Sequence, residues 1–119
     1  MKVLIIEQEK TIRQSLLHFL ERFESYEVFA ARSEKEGMTL LETIPFDLIL
    51  CEHRLPDGNG LEVLKTWAGK SRKTISILMT VYDDERLRQE ALNAGVQGYL
   101  VKPFDLKQLE EAMDLGNAP

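Results

Sequence analysis

Four apolar runs in this chain each end on side chains that could do chemistry. Val3-Leu4-Ile5-Ile6 is followed by Glu7, Gln8 and Glu9; Leu48-Ile49-Leu50-Cys51 by Glu52; Ile77-Leu78-Met79 by Thr80; and Tyr99-Leu100-Val101 by Lys102. If these ends meet, carboxylates, an amide, a hydroxyl and an ammonium share one shallow pocket. Like charges there repel, and a single cation offsets them. Lys102 precedes Pro103, which favours an extended backbone and throws the lysine beyond its strand, within reach of Glu52. No nucleophile–base–orienter triad is evident. The segment IIEQEKTIRQ contains no glycine, so it offers no phosphate cradle, and a flavin- or nucleotide-binding enzyme is the weaker alternative.

The elements that position these ends follow from hydrophobic period. VLII is a short β-branched run suited to a strand covered on both faces. Ile12, Leu16, Leu17, Phe19, Leu20 and Phe23 recur at helical spacing, predicting a helix over about 10–23. Tyr26 to Ala30 reads as a second strand. Ser33-Glu34-Lys35-Glu36 has the capping-box form, with Glu36 reaching back, and opens a helix that Pro45 ends. Phe46 to Cys51 is the third strand. Gly58 and Gly60 predict a flexible turn before a helix with Leu61, Leu64, Trp67 and Ala68 on one side. Ile75 to Thr80 is the fourth strand, and Asp83 or Asp84 caps a helix through Leu87, Ala91 and Leu92 that Gly95 closes. Gln97 to Val101 is the fifth strand. Asp105 opens the last helix, with Gln108 at its third position.

Strands alternating with helices predict an α/β, doubly wound (βα)₅ fold of flavodoxin-like, three-layer form, its parallel sheet ordered 2-1-3-4-5. In such sheets the carboxyl ends of all strands share one edge, where function sits. The expected boundaries are one domain over 1–116 and a frayed end over 117–119. The 119 residues suffice for a single core, and 44% hydrophobic with 29% charged residues describes a globular chain. A net charge of −5 argues against direct nucleic acid binding, which needs a basic face. The single cysteine excludes an internal disulfide and points to a reducing cytoplasm. VLII is too short for a secretory leader, and no run reaches the ~20 apolar residues of a membrane span.

The segments VLIIEQE, DLILCEHRLPDGNGLEVL, ILMTVYDD and NAGVQGYLVKPF, with their spacing, resemble the receiver domain of bacterial two-component response regulators. The resemblance covers nearly the whole chain. It implies an aspartate at the end of the third strand that takes a phosphoryl group from a histidine kinase, and two acidic residues after the first strand that help bind Mg²⁺. It further implies a threonine or serine and a lysine that hold the phosphoryl oxygens, and an aromatic residue of the fifth strand that swings inward. Thr80, Lys102 and the switch aromatic Tyr99 match, as do Asp57 and Gly60. The acceptor position is Glu52, and the acidic pair is Glu7-Gln8. The carbonyl two residues past the acceptor, a metal ligand in the family, belongs to Arg54.

Both departures bear on chemistry. Glutamate moves its carboxylate outward by roughly 1.5 Å, about one carbon–carbon bond. A misplacement of ~1 Å can cost on the order of 10²-fold in phosphoryl transfer. With Gln8 neutral, Mg²⁺ held by Glu7, Glu52 and the Arg54 carbonyl is expected to be weak or absent. The expected function is therefore a phosphorylation-independent signalling receiver, not an enzyme, acting through protein contacts on an output domain or partner such as a transcription regulator. Glu52 would pair with Lys102, accept from Thr80 and so imitate a phosphoryl group in part. A working phosphoacceptor in a histidine-kinase phosphorelay is the alternative. The resemblance also implies a homodimer through the fourth helix, fifth strand and fifth helix, a face carrying Arg86, Arg88, Glu90, Lys107, Glu110 and Glu111. His53 and His18 suggest no paired metal site, Cys51 reads as a small buried hydrophobe, and Asp57 lies in the loop beyond the acceptor strand.

Overall fold

The computed structural model describes residues 1–68, 70 and 73–117, the last three as backbone. Five parallel strands form the central sheet: β1 (Lys2–Ile6), β2 (Glu27–Ala31), β3 (Leu48–Glu52), β6 (Ile75–Thr80) and β7 (Gly98–Val101). Their spatial order is β2-β1-β3-β6-β7. That is the expected 2-1-3-4-5 order of a flavodoxin-like fold. Between β3 and β6 lies an antiparallel pair, β4 (Arg54–Leu55) and β5 (Gly58–Asn59). The helices are α1 (Lys10–Leu20), α2 (Glu34–Thr43), α3 (Gly60–Ala68), α4 (Glu85–Asn93) and α5 (Leu106–Asn117).

Period-two alternation divides the core in two. Val3, Ile5, Leu48, Leu50, Ile77 and Met79 face α1 and α5, meeting Leu16, Leu20, Leu109 and Met113. Leu4, Ile6, Ile49, Cys51 and Leu78 face the opposite side, meeting Leu41, Leu61, Leu64 and Ala91 of α2, α3 and α4. Every residue of β3 and β6 is buried. Each large aliphatic side chain so removed from water contributes about 1.5–3 kcal/mol. This burial on both faces explains why the strands read as continuous apolar runs.

Several boundaries differ from expectation for local reasons. Helix α1 stops at Leu20, not near 23, because Arg22 and Phe23 donate to Phe19 and Leu20 carbonyls three residues back, tightening the last turn. Phe23 leaves the helix and packs edge-on against Phe19. At α2, Ser33 Oγ accepts from the Glu36 amide at 3.1 Å, as expected of the cap. Glu36 reaches back one residue further than a capping box requires, to the amide and guanidinium of Arg32. Asp84, not Asp83, caps α4, and Gly95 ends it with φ of +92°. At α5, Asp105 and Gln108 exchange side chain-to-amide bonds of 2.8 and 2.9 Å. Helix α5 runs through Asn117, inside the segment expected to fray, while 118 and 119 lie outside the described residues.

The flexible turn expected at Gly58 and Gly60 is instead the ordered β4–β5 hairpin. Asp57 at its tip accepts from the amides of Glu34 and Lys35 at 2.8 and 3.0 Å, so it caps α2 from another part of the chain. Those amides hold its carboxyl below the usual aspartate range.

Candidate functional site

Glu52 is the last residue of β3, in register with Met79, so it belongs to the ladder itself. The ladder continues one step: the His53 amide donates to Met79 O at 2.7 Å, and Gly60 N donates to His53 O at 2.7 Å. Gly60 is required here, since a Cβ on it would lie 1.8 Å from the Glu52 carbonyl oxygen. The start of α3 is thus clamped against the end of β3, and the Glu52 side chain leaves the sheet from a fixed point.

Glu7, Glu52 and Lys102 meet above that edge. The Lys102 ammonium is ion-paired with Glu7 Oε1 and Glu52 Oε2. Glu7 is fully buried and Glu52 is 7% exposed. Both carboxylates are therefore largely shielded from water, as is the Lys102 side chain at 11% exposed. The second oxygen of Glu7 accepts from the Glu9 amide at 2.9 Å. Arg13 of α1 donates to the carbonyls of Glu7 and Gln8, fixing the turn between β1 and α1.

Two carboxylates against one ammonium leave the cluster one negative charge in excess. Burial pushes the Glu52 carboxyl up to about 7, Lys102 pulls it back and Glu7 adds to the rise. Burial pulls Lys102 down, but the Glu52 and Glu7 carboxylates more than offset this and hold the ammonium above its ordinary value. Glu52 Oε2 is buried and accepts no hydrogen bond of good geometry, so the ion pair is what stabilises it.

The remaining expected residues are arranged differently. Thr80 is buried, but its hydroxyl partners are His53 Nδ1 at 3.2 Å and the Tyr82 amide at 3.1 Å. The expected bond from Thr80 to Glu52 is not formed; the hydroxyl is engaged by His53 and the Tyr82 amide instead. Tyr99 is half-buried; its hydroxyl donates to Tyr82 O at 2.6 Å, and the Arg88 guanidinium lies 4.4 Å above its ring. Gln8 is exposed and its amide donates to Arg54 O at 3.4 Å. Glu9 is exposed, as is His18 on α1.

Magnesium, which the resemblance implies, does not fit this donor set. Both carboxylates that would face the ion are engaged by Lys102. The third acidic position is an amide, and the Arg54 carbonyl faces its NH₂ group. Among the described residues no group of three or more His, Cys, Asp or Glu side chains could hold a metal ion. Cys51 is buried in the α2–α4 side of the core, and burial pushes its thiol far up, which makes it unreactive.

Sequence reasoning missed Tyr82 and the partnership of His53 with Thr80. Tyr82 acts through its backbone amide and carbonyl, which its side-chain type does not report. The sequence places His53 beside the acceptor position, but only the fold brings it to Thr80, 27 residues away.

Around this cluster lies a depression of about 680 Å³, whose lining includes Ile12, Leu16, Val81, Pro103, Phe104 and Leu106 with Glu52 and Lys102. No helix among the described residues is long and apolar enough to cross a membrane.

The family model of the response regulator receiver domain matches residues 3–114. The response regulator protein PilR of Pseudomonas aeruginosa is 37% identical over 110 residues, 92% of this chain and 24% of that protein. The transcriptional regulatory protein CrdR of Helicobacter pylori is 34% identical over 92% of this chain and 51% of its own length. The chain thus spans about a quarter to a half of these relatives. Among solved structures, the Francisella response regulator 1452 receiver domain superposes with a TM-score of 0.86 at 26% identity, covering 98% of this chain and 96% of that one. With the sheet order and strand-end residues described above, these likenesses establish that the chain belongs to the response-regulator receiver family of two-component signalling.

Proposed function

We propose that this receiver signals without being phosphorylated, through protein contacts, and that Glu52 holds it in one state. The observation that carries this reading is the pairing of the Lys102 ammonium with both Glu7 and Glu52. The lysine that would hold a phosphoryl oxygen is already satisfied by two carboxylates. Glu52 brings one negative charge where a phosphate monoester would bring about −1.5 to −2, so the imitation is partial and needs no metal.

The partners are a sensor kinase or an output domain. PilR and CrdR are named as regulators, and this chain matches only part of each. A homodimer through α4, β7 and α5 is part of the same reading. Leu92 is 53% exposed there, beside a depression of about 290 Å³ between α4 and α5. Arg88 is half-committed within its own chain, to Asp83 at 3.8 Å and Glu85 at 3.9 Å. That leaves Arg86, Glu90, Lys107, Glu110 and Glu111 for pairing across a two-fold axis.

Incubation with acetyl phosphate and Mg²⁺, followed by intact-mass measurement, tests the reading. The expected result is no adduct. A stable adduct of one phosphoryl group, lost in Glu52→Ala, establishes a working phosphoacceptor and overturns it.

A further inference from the structure

We infer that His53 is the positioning residue that fixes Thr80 and, through Tyr82, Tyr99, so that the switch pair is held from the end of β3 without any bond to the Glu52 carboxylate. The path is continuous. His53 Nδ1 and Thr80 Oγ1 are 3.2 Å apart, the Tyr82 amide donates to that same oxygen at 3.1 Å, and the Tyr99 hydroxyl donates to the Tyr82 carbonyl at 2.6 Å. Beyond Tyr99 the path reaches α4, where Arg88 covers the ring.

Each link is short, and the first is rigidly mounted. The His53 amide and carbonyl both sit in 2.7 Å backbone bonds, to Met79 O and from Gly60 N, so the imidazole cannot drift with its backbone. Its ring meets the Tyr82 ring edge-on, with centroids 6.0 Å apart at 81°. Arg54 lies 5.0 Å from the centroid of the same Tyr82 ring. The loop from Thr80 to Tyr82 is therefore gripped at the Thr80 hydroxyl and at the Tyr82 ring by residues that directly follow Glu52 in sequence, while the Tyr82 amide closes back on Thr80 Oγ1. Hydrogen bonds in a linked chain polarise one another, and removing one end loosens the rest. Tyr82 is 40% exposed, so a protein pressing on it would act on both Thr80 and Tyr99. That supplies an input to the switch that does not require chemistry at Glu52.

The inference rests on reading Thr80 and Tyr99 as the switch pair, and its test separates the two. The Tyr99 ring resonances and the amides of residues 81–84 are followed by NMR in the full chain and in His53→Leu, His53→Asn and Thr80→Val. Asparagine keeps a polar atom where Nδ1 stood; leucine does not. His53→Leu and Thr80→Val are expected to displace the Tyr99 resonances in the same direction, and His53→Asn to restore most of the original positions. Rescue by asparagine would not follow from a purely space-filling role. If Thr80→Val moves Tyr99 but His53→Leu does not, the role of His53 is overturned while the switch reading stands. If neither moves it, the switch reading falls and this inference with it. The unaltered protein supplies a check that needs no variant: the ring-nitrogen shifts of His53 must show one tautomer, and a ring averaging between tautomers overturns the inference.

Discussion

Lys102, one residue beyond the edge strand β7, ion-pairs with Glu52 at the end of β3, two strands away across β6. The same ammonium pairs with Glu7 of β1's end, so one side chain ties three strand ends together. Lys102→Met would leave Glu7 and Glu52 in a buried site with no cation beside them, and Glu52, whose carboxyl Lys102 pulls down, would hold its proton to higher pH. Breaking a buried pair from one side costs about 3–5 kcal/mol, mostly through the uncompensated charge. Urea unfolding near neutral pH is expected to show a loss of that order. The double variant Lys102→Met/Glu52→Gln is expected to recover part of it, since one of the stranded charges is then gone.

The excess negative charge makes stability depend on pH in a definite direction. Glu52 has its folded pKa raised to about 7 from an ordinary 4.5, chiefly by burial. Between those values the folded chain binds more protons than the unfolded one, so this group's contribution to stability falls as pH rises. It is most favourable below about 4.5, and the full cost is in place above about 7. The expected result is that the stability difference between the parent and Glu52→Gln shifts against the parent across that window, by an amount on the order of a few kcal/mol. A difference that stays flat from acid to neutral pH contradicts the burial of this charge.

Two glycines two residues apart should respond unequally to the same change. At Gly60 an added Cβ meets backbone, the carbonyl oxygen of Glu52, at 1.8 Å. At Gly58 it meets the carboxylate of Glu34, at 1.6 Å, which a flexible side chain can withdraw. Gly60→Ala is expected to destabilise by more than the ~1–3 kcal/mol typical of overpacking, and to disturb the amides of Glu52 and His53. Gly58→Ala should be much milder and leave those amides in place. Thermal unfolding with amide spectra of both variants checks the contrast.

The same physics explains what was legible in the sequence. Runs such as VLII and LILC read as strands because both faces of the sheet are covered, so successive residues on either side are apolar. The convergence of Glu7, Glu52 and Lys102 follows from strand ends sharing an edge. The partner of Thr80 did not follow, because a hydroxyl takes whichever polar atom lies nearest, and distances of an ångström are not written in residue order. The role of Asp57 was hidden likewise: the helix it caps begins 23 residues earlier in the chain. Where α1 ends depended on a tightened final turn that the pattern of Phe19, Leu20 and Phe23 does not distinguish from another helical turn.

Asp57 provides a local test of that long-range cap. In Asp57→Ala the amides of Glu34 and Lys35 lose their acceptors, while Glu36 keeps the Ser33 hydroxyl. Hydrogen exchange is expected to accelerate at Glu34 and Lys35 and to change little at Glu36. If all three amides accelerate alike, the helix end depends on Asp57 for more than its two bonds.

The misfit to magnesium should be reversible by restoring charge and reach together. Glu52→Asp alone draws the carboxylate back by one methylene but leaves the neutral Gln8 donating to the Arg54 carbonyl. Gln8→Asp alone restores a third carboxylate but leaves Glu52 extended onto Lys102. Mg²⁺ favours hard oxygen donors at near-octahedral positions, so either single change satisfies half of its demand. The double variant Gln8→Asp/Glu52→Asp also raises the negative excess around one ammonium, which favours a divalent cation over a second lysine contact. Calorimetric titration with Mg²⁺ is expected to give binding in the double variant, at least tenfold tighter than in either single one. Acetyl phosphate is expected to label only the double variant appreciably. Equal Mg²⁺ affinity in the parent and the double variant would show that Glu52 and Gln8 do not govern the ion, and the account of this pocket as one balanced by its own lysine would fail.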